Sequence, residues 1–180
     1  MTTSYLDTAP VIDLARASLR SSARAWDDAL TAALEHDARR ARQVLRRDAA
    51  RRSGLRSARR RLDQHGATGT RGSLRLVVLD LWRLDRLLGQ LAQDVLGPGG
   101  GVPEDCRAAV DLLRTTGSGR LLDLADGWPD VPVDSGYVRQ GQGLVRAWTV
   151  LREQRAGEAA VCARLAAVLV ETSRHASGTV

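Results

Sequence analysis

Leu74, Val77, Leu81, Leu84, Leu88, Leu91 and Val95 follow one another at alternating steps of three and four. A helix turns every 3.6 residues, so this spacing lines seven apolar side chains along one seam. A seam of that length cannot be satisfied by water. It requires other helices packed at shallow angles, and so predicts an all-α bundle with this segment inside it. Leu79, Trp82 and Leu87 widen the face expected to be buried.

The flanking chain repeats the helical pattern more faintly. Helix one is expected over 10–34, with the stripe Ile12, Ala15, Leu19, Ala23, Trp26, Leu30 and Ala33. Helix two is expected over 36–64, with a thin stripe of Ala38, Ala41, Leu45, Leu55, Ala58 and Leu62, interrupted at Ser53-Gly54. Gly66 to Ser73 reads as a loop, with Ser73 as the N-cap of helix three. After the glycine run at 97–101, helices are expected over 103–126, 134–155 and 157–175, with Gly117-Ser118-Gly119 breaking the first and Trp128 to Pro132 forming a turn. The expected architecture is a six-helix bundle in one domain, 1–180. It divides into a three-helix half over 1–96, a glycine-rich linker over 97–102 and a second half over 103–180.

Charge is distributed unevenly. Eleven arginines lie between Arg39 and Arg61 against one acid, Asp48, giving +10. The rest of the chain has 16 arginines against 20 acids, or −4, within an overall +6. A focused positive segment attracts phosphates, acidic lipid surfaces or an acidic protein. The chain has no Lys, Asn or Phe, a bias expected of a GC-rich genome. Arginine here fills roles that lysine would share elsewhere, which weakens the case for planar phosphate recognition. Asp48 is placed to pair with Arg51 or Arg52, and Asp63 with Arg59 or Arg60, leaving most arginines without a local acid. The segment is either the solvated back of a helix or a contact surface. As a surface, its contact residues are Arg46, Arg47, Arg51, Arg52, Arg59 and Arg60. No aromatic residue interleaves them, so base stacking is not indicated.

No constellation carries catalysis. Asp126 and Asp130 are separated by Gly127-Trp128-Pro129, which precludes a shared helix face. Asp80 and Asp85 are five apart, with Arg83 and Arg86 as ordinary helix partners. His36, His65 and His175 are scattered, and nothing brings Ser, His and Asp together. The glycines before Ser73 lack the strand and lysine of a phosphate loop. Cys106 and Cys162 read as reduced, packed thiols. No secretory leader and no bilayer-spanning run is recognised, so a cytoplasmic location is expected. No catalytic, cofactor or metal residue is assigned.

Residues 10–96 resemble the first half of PhoU-type phosphate-signalling regulators. The resemblance rests on Ala25-Trp-Asp-Asp-Ala-Leu-Thr-Ala-Ala-Leu-Glu-His-Asp37, on Ala41-Arg-Gln-Val44 with Asp48, and most strongly on Ser73-Leu-Arg through Leu88. An echo lies at Ala163 to His175. The family associates an acid pair, four apart on the third helix, with metal clusters. Leu88 and Ala92 stand at those positions and Arg174 at the comparable place in the second half. The resemblance therefore implies two PhoU-like three-helix halves, a divergent member without the metal motif, and a non-enzymatic regulator or adaptor. Its implied partners are a sensor kinase or a phosphate transporter, with a homodimer as the assembly. The alternative is a polyanion-binding module for nucleic acid, polyphosphate or an acidic membrane surface.

Overall fold

A computed structural model describes residues 9–64, 70–98, 101–128 and 135–176. Six α-helices account for nearly all of them, and no strand occurs among the described residues. They are α1 (Ala9–Glu35), α2 (Ala38–Gln64), α3 (Thr70–Leu96), α4 (Arg107–Gly127), α5 (Ser135–Leu151) and α6 (Gly157–Ala176). A 3₁₀ turn over Glu104–Cys106 leads into α4.

The first reversal is built by two residues. His36 takes a φ of 53°, the left-handed conformation that ends helices. The Asp37 N–H then donates back to the Ala32 carbonyl at 3.0 Å. Asp37 Oδ1 accepts the N–H groups of Arg39 and Arg40 at 2.9 and 3.1 Å. Asp37 is thus the N-cap of α2, which begins at Ala38 and not at His36. The same bonds, led by that from Arg40, hold the Asp37 carboxyl below its usual value. So short a connection between packed helices makes α1 and α2 antiparallel.

All seven residues of the α3 seam are buried. Fully burying each such side chain contributes about 1.5–3 kcal/mol relative to exposure. Leu79 is the exception to the widened face: it is 38% exposed, while Trp82 and Leu87 are partly buried against the core. α3 starts at Thr70, so Ser73 lies inside the helix and does not cap it. Residues 65–69, where the rest of the loop was expected, lie outside the described residues.

α1 is buried more broadly than a single stripe. It packs on α2, α3 and α4, and Ala23, Ala25, Ala29, Ala32 and Ala33 are all buried. Small side chains let three neighbours approach at once. Val11 is buried there, whereas Ile12 is only partly so. α1, α2 and α3 pack pairwise, as do α4, α5 and α6, and α1 with α4 and α3 with α6 join the two sets. One buried apolar cluster draws on all six helices.

Two expected breaks are absent. α2 runs unbroken through Ser53-Gly54, and α4 through Gly117-Ser118-Gly119. Gly117 has a packing role instead: a Cβ there would stand 2.3 Å from Cζ2 of Trp26. Trp26 is completely buried, and its indole N–H donates to the Leu113 carbonyl at 3.2 Å. Trp128 closes α4. Its indole N–H donates to the Ala176 carbonyl at 3.2 Å, and its own carbonyl accepts Nε of Arg16 at 3.0 Å. It thereby ties the ends of α4 and α6 to α1.

Candidate functional site

α2 carries the arginine segment, and its buried face decides which arginines reach solvent. That face consists of Ala41, Val44, Arg51, Leu55, Ala58 and Leu62. Val44 and Arg51 take the place expected for Ala38 and Leu45. Arg51 corrects the contact set, because it is 7% exposed and cannot belong to a surface. An uncompensated guanidinium in such a place would be costly, so it must be paired and hydrogen-bonded.

The pairing comes from α3. Arg51 Nε lies 2.5 Å from Asp85 Oδ1, and Asp85 is 1% exposed. Arg51 NH1 donates to the Val44 carbonyl at 3.2 Å, and NH2 lies 3.4 Å from Asp48. Arg52, at the rim, bridges the same two acids, at 2.8 Å to Asp48 and 3.3 Å to Asp85. Burial raises the Asp48 pKa and the neighbouring Asp85 adds to the rise, against the pull of Arg52 and Arg51. The Arg51–Asp85 pair therefore fastens α2 to α3. Asp85 was not expected to look across to another helix. The residues are 34 apart in sequence, and no local pattern announces the contact.

Eight of the other arginines of α2 fall into two groups. Arg40 reaches Asp37 at 3.3 Å, Arg47 reaches Asp28 at 3.5 Å, and Arg59 reaches Asp63 at 3.7 Å. Arg39, Arg42, Arg46, Arg56 and Arg60 are exposed and form no ion pair among the described residues. At about 100° per residue, these five fall within an arc of about 100°, opposite the buried face. The stripe from Arg39 to Arg60 is about 32 Å long. Of the six expected contacts, Arg46 and Arg60 lie on it. Arg47 and Arg59 flank it with partial neutralisation, and Arg52 is held by the acid cluster. Arg39, Arg42 and Arg56 were missed. Projecting the arginines against the buried positions, in place of counting nearby acids, would have found them.

Two other titratable groups stand out. His175 Nδ1 lies 2.5 Å from Asp80 Oδ2, linking α6 to α3. Arg83, at 3.4 Å from Asp80 and 3.2 Å from Glu171, extends the link. Burial raises the Asp80 pKa, opposed by His175 and Arg83. The pair joins two helices as an interhelical clamp. Among the described residues, no three His, Cys, Asp or Glu side chains converge as metal ligands. Leu88 and Ala92, which the expected PhoU-type resemblance sets against an acid pair, are core residues with no exposure. Cys106 and Cys162 are free and buried, and burial drives both thiol pKa values upward.

Glu158, in the first turn of α6, is 2% exposed, and neither carboxylate oxygen has a hydrogen-bond partner among the described residues. Burial raises its pKa above 4.5, with His36 opposing and Asp94 reinforcing the rise. The folded state thus holds this proton to higher pH than the unfolded state does. Stability is then lost as pH rises through the folded pKa. Glu158→Met is expected to raise neutral-pH stability by about 1–3 kcal/mol, the cost of an unsatisfied buried polar group. Denaturant titrations at several pH values should show the gain growing from acid to neutral conditions. A loss of stability at neutral pH would refute the assignment.

No protein-family model, curated protein or solved structure matches this chain. No helix among the described residues is long and apolar enough to cross a membrane. What the fold and the site define is a class: a helical bundle with an unpaired arginine stripe along one outer helix.

Proposed function

We propose that this chain is a non-enzymatic regulator or adaptor that docks an acidic partner protein along α2. One observation supports this reading above the others: five exposed arginines, opposite the buried face, without acidic partners among the described residues. Arginines that served only as a solvated helix back would be expected to recruit neighbouring acids, as Arg47 and Arg59 do. The PhoU-type resemblance over residues 10–96 supplies the context of phosphate-responsive signalling, with a sensor kinase or phosphate transporter as partner and a homodimer as the assembly.

A second reading, binding of polyphosphate or nucleic acid, is favoured by a separate observation. The residues lying among the stripe arginines are small, Ala49, Ser53 and Ser57, and none of the exposed large hydrophobics lies on α2. Protein-docking faces ordinarily carry an aromatic or aliphatic anchor, whereas phosphate contacts need none.

The triple variant Arg46→Glu, Arg56→Glu, Arg60→Glu separates these readings. All three side chains are exposed, so folding should survive. Three surface contacts of about 0.5–1 kcal/mol each correspond to ~10–100-fold in affinity. In affinity capture from the native host, the variant should lose one specific protein that Arg146→Glu on α5 retains. Loss of bulk nucleic acid or polyphosphate, with affinity falling steeply with salt, would establish the second reading. An unchanged set of captured molecules would overturn both.

A further inference from the structure

Arg120 projects from α4 into a cleft of ≈ 230 Å³ shared with α5 and α6. It is 5% exposed. Its guanidinium stacks over the Tyr137 ring, 3.1 Å from the centroid. Nε donates to Ser173 Oγ at 3.1 Å, and NH1 to the Tyr137 carbonyl at 2.9 Å. Both acceptors are neutral. No carboxylate pairs with Arg120 among the described residues, in contrast to Arg51, which is equally buried and held by two acids. NH2 has no hydrogen-bond partner there and faces Gly141, where an added Cβ would meet it at 3.2 Å. The absent side chain at Gly141 keeps that donor open to the cleft.

A buried cation without a counter-ion is the costly half of an ion pair. Burial lowers the Arg120 pKa, opposed by Tyr137 and Asp123, so the environment works against the charge that it holds. The rest of the lining is mainly aliphatic: Leu144, Val145 and Val170, with Arg174 beside them. Few donors and an apolar wall suit a single negative charge on an apolar body. A phosphate dianion would set several of its oxygens against the aliphatic wall, which offers them no hydrogen bond.

We propose that the cleft among α4, α5 and α6 binds a small organic monocarboxylate, whose carboxylate pairs with Arg120 and whose apolar body packs on Leu144, Val145 and Val170. This site is independent of the α2 stripe. The anion completes the ion pair that the described residues leave open, and a cleft of ≈ 230 Å³ suits a short aliphatic or single-ring aromatic acid.

The test is titration of the full chain with benzoate, followed by calorimetry and by amide NMR signals of Tyr137 and Gly141. Benzoate should saturate and shift those signals. Benzyl alcohol, of the same shape without the charge, should bind at least about tenfold more weakly, and inorganic phosphate should not displace benzoate. Arg120→Met should abolish binding. Val145→Trp should do the same by filling the mouth of the cleft from a position 50% exposed, where the fold is not at stake. Failure of benzoate to saturate by about 10 mM would overturn the proposal. Equal binding of the alcohol, displacement by phosphate, or undiminished binding to folded Val145→Trp would overturn it as well.

Discussion

Asp85→Leu is expected to lower the unfolding free energy by about 3–5 kcal/mol, because it leaves Arg51 buried with its closest counter-charge gone. Arg51 Nε lies 2.5 Å from Asp85, and the remaining acid, Asp48, stands at 3.4 Å. Arg52 loses a partner too, but at 41% exposure its side chain can turn to water. The penalty therefore belongs to Arg51. The double variant Arg51→Met, Asp85→Leu should recover most of the loss, since it removes both charges from the interior together. Urea titrations of the two single variants and the double variant measure the coupling directly. A cost below about 1 kcal/mol for Asp85→Leu would mean that water reaches the cluster and that the pair is a surface one. A lone aspartate on α3 would then not be what fastens α2.

Gly117→Ala should cost ~3 kcal/mol, the upper end of overpacking penalties. In an open helix the same change gains about 1 kcal/mol, from the better helix propensity of alanine. Packing reverses the sign here. The new methyl group would sit 2.3 Å from Cζ2, 2.4 Å from Cε2 and 2.6 Å from Nε1 of Trp26. The indole has no exposure and is hydrogen-bonded to Leu113, so it has nowhere to move without opening the junction of α1 and α4. Gly54→Ala on α2 is the control. Its new Cβ would meet Ser18 Oγ at 3.7 Å, an ordinary contact, and it should stabilise by about 0.5–1 kcal/mol. Thermal and denaturant midpoints that move in opposite directions for the two variants would confirm the reading. A neutral Gly117→Ala would show that the α1–α4 junction yields.

The two glycines show where sequence reading succeeds and where it stops. Ser53-Gly54 and Gly117-Ser118-Gly119 carry the same local signal, a possible helix break. Neither breaks a helix. One is nearly indifferent to a methyl group, and the other admits an indole from a helix 91 positions earlier in the chain. Nothing within a few residues of either glycine distinguishes them. The α3 seam behaves differently: its seven positions are all buried as their spacing requires. Periodicity is a property of the local chain, so it survives whatever the helix packs against.

The arginine segment obeys both rules. That α2 is a helix, that it is intensely basic, and that its apolar stripe is thin are all set by residues within it. Composition and period determine such things because backbone propensity and side-chain direction act over one or two turns. Which arginines are available to a partner was decided elsewhere. Asp85 on α3 draws Arg51 inside, Asp28 on α1 neutralises Arg47, and the stripe of Arg39, Arg42, Arg46, Arg56 and Arg60 is what the neighbouring helices leave unpaired. That Arg120 has no acidic partner among the described residues is likewise visible only once Tyr137 and Ser173 surround it. Sequence by itself determined a helical bundle with one strongly basic helix. Tertiary structure alone decided which charges face solvent, because ion pairing depends on distances of a few ångströms between residues tens of positions apart.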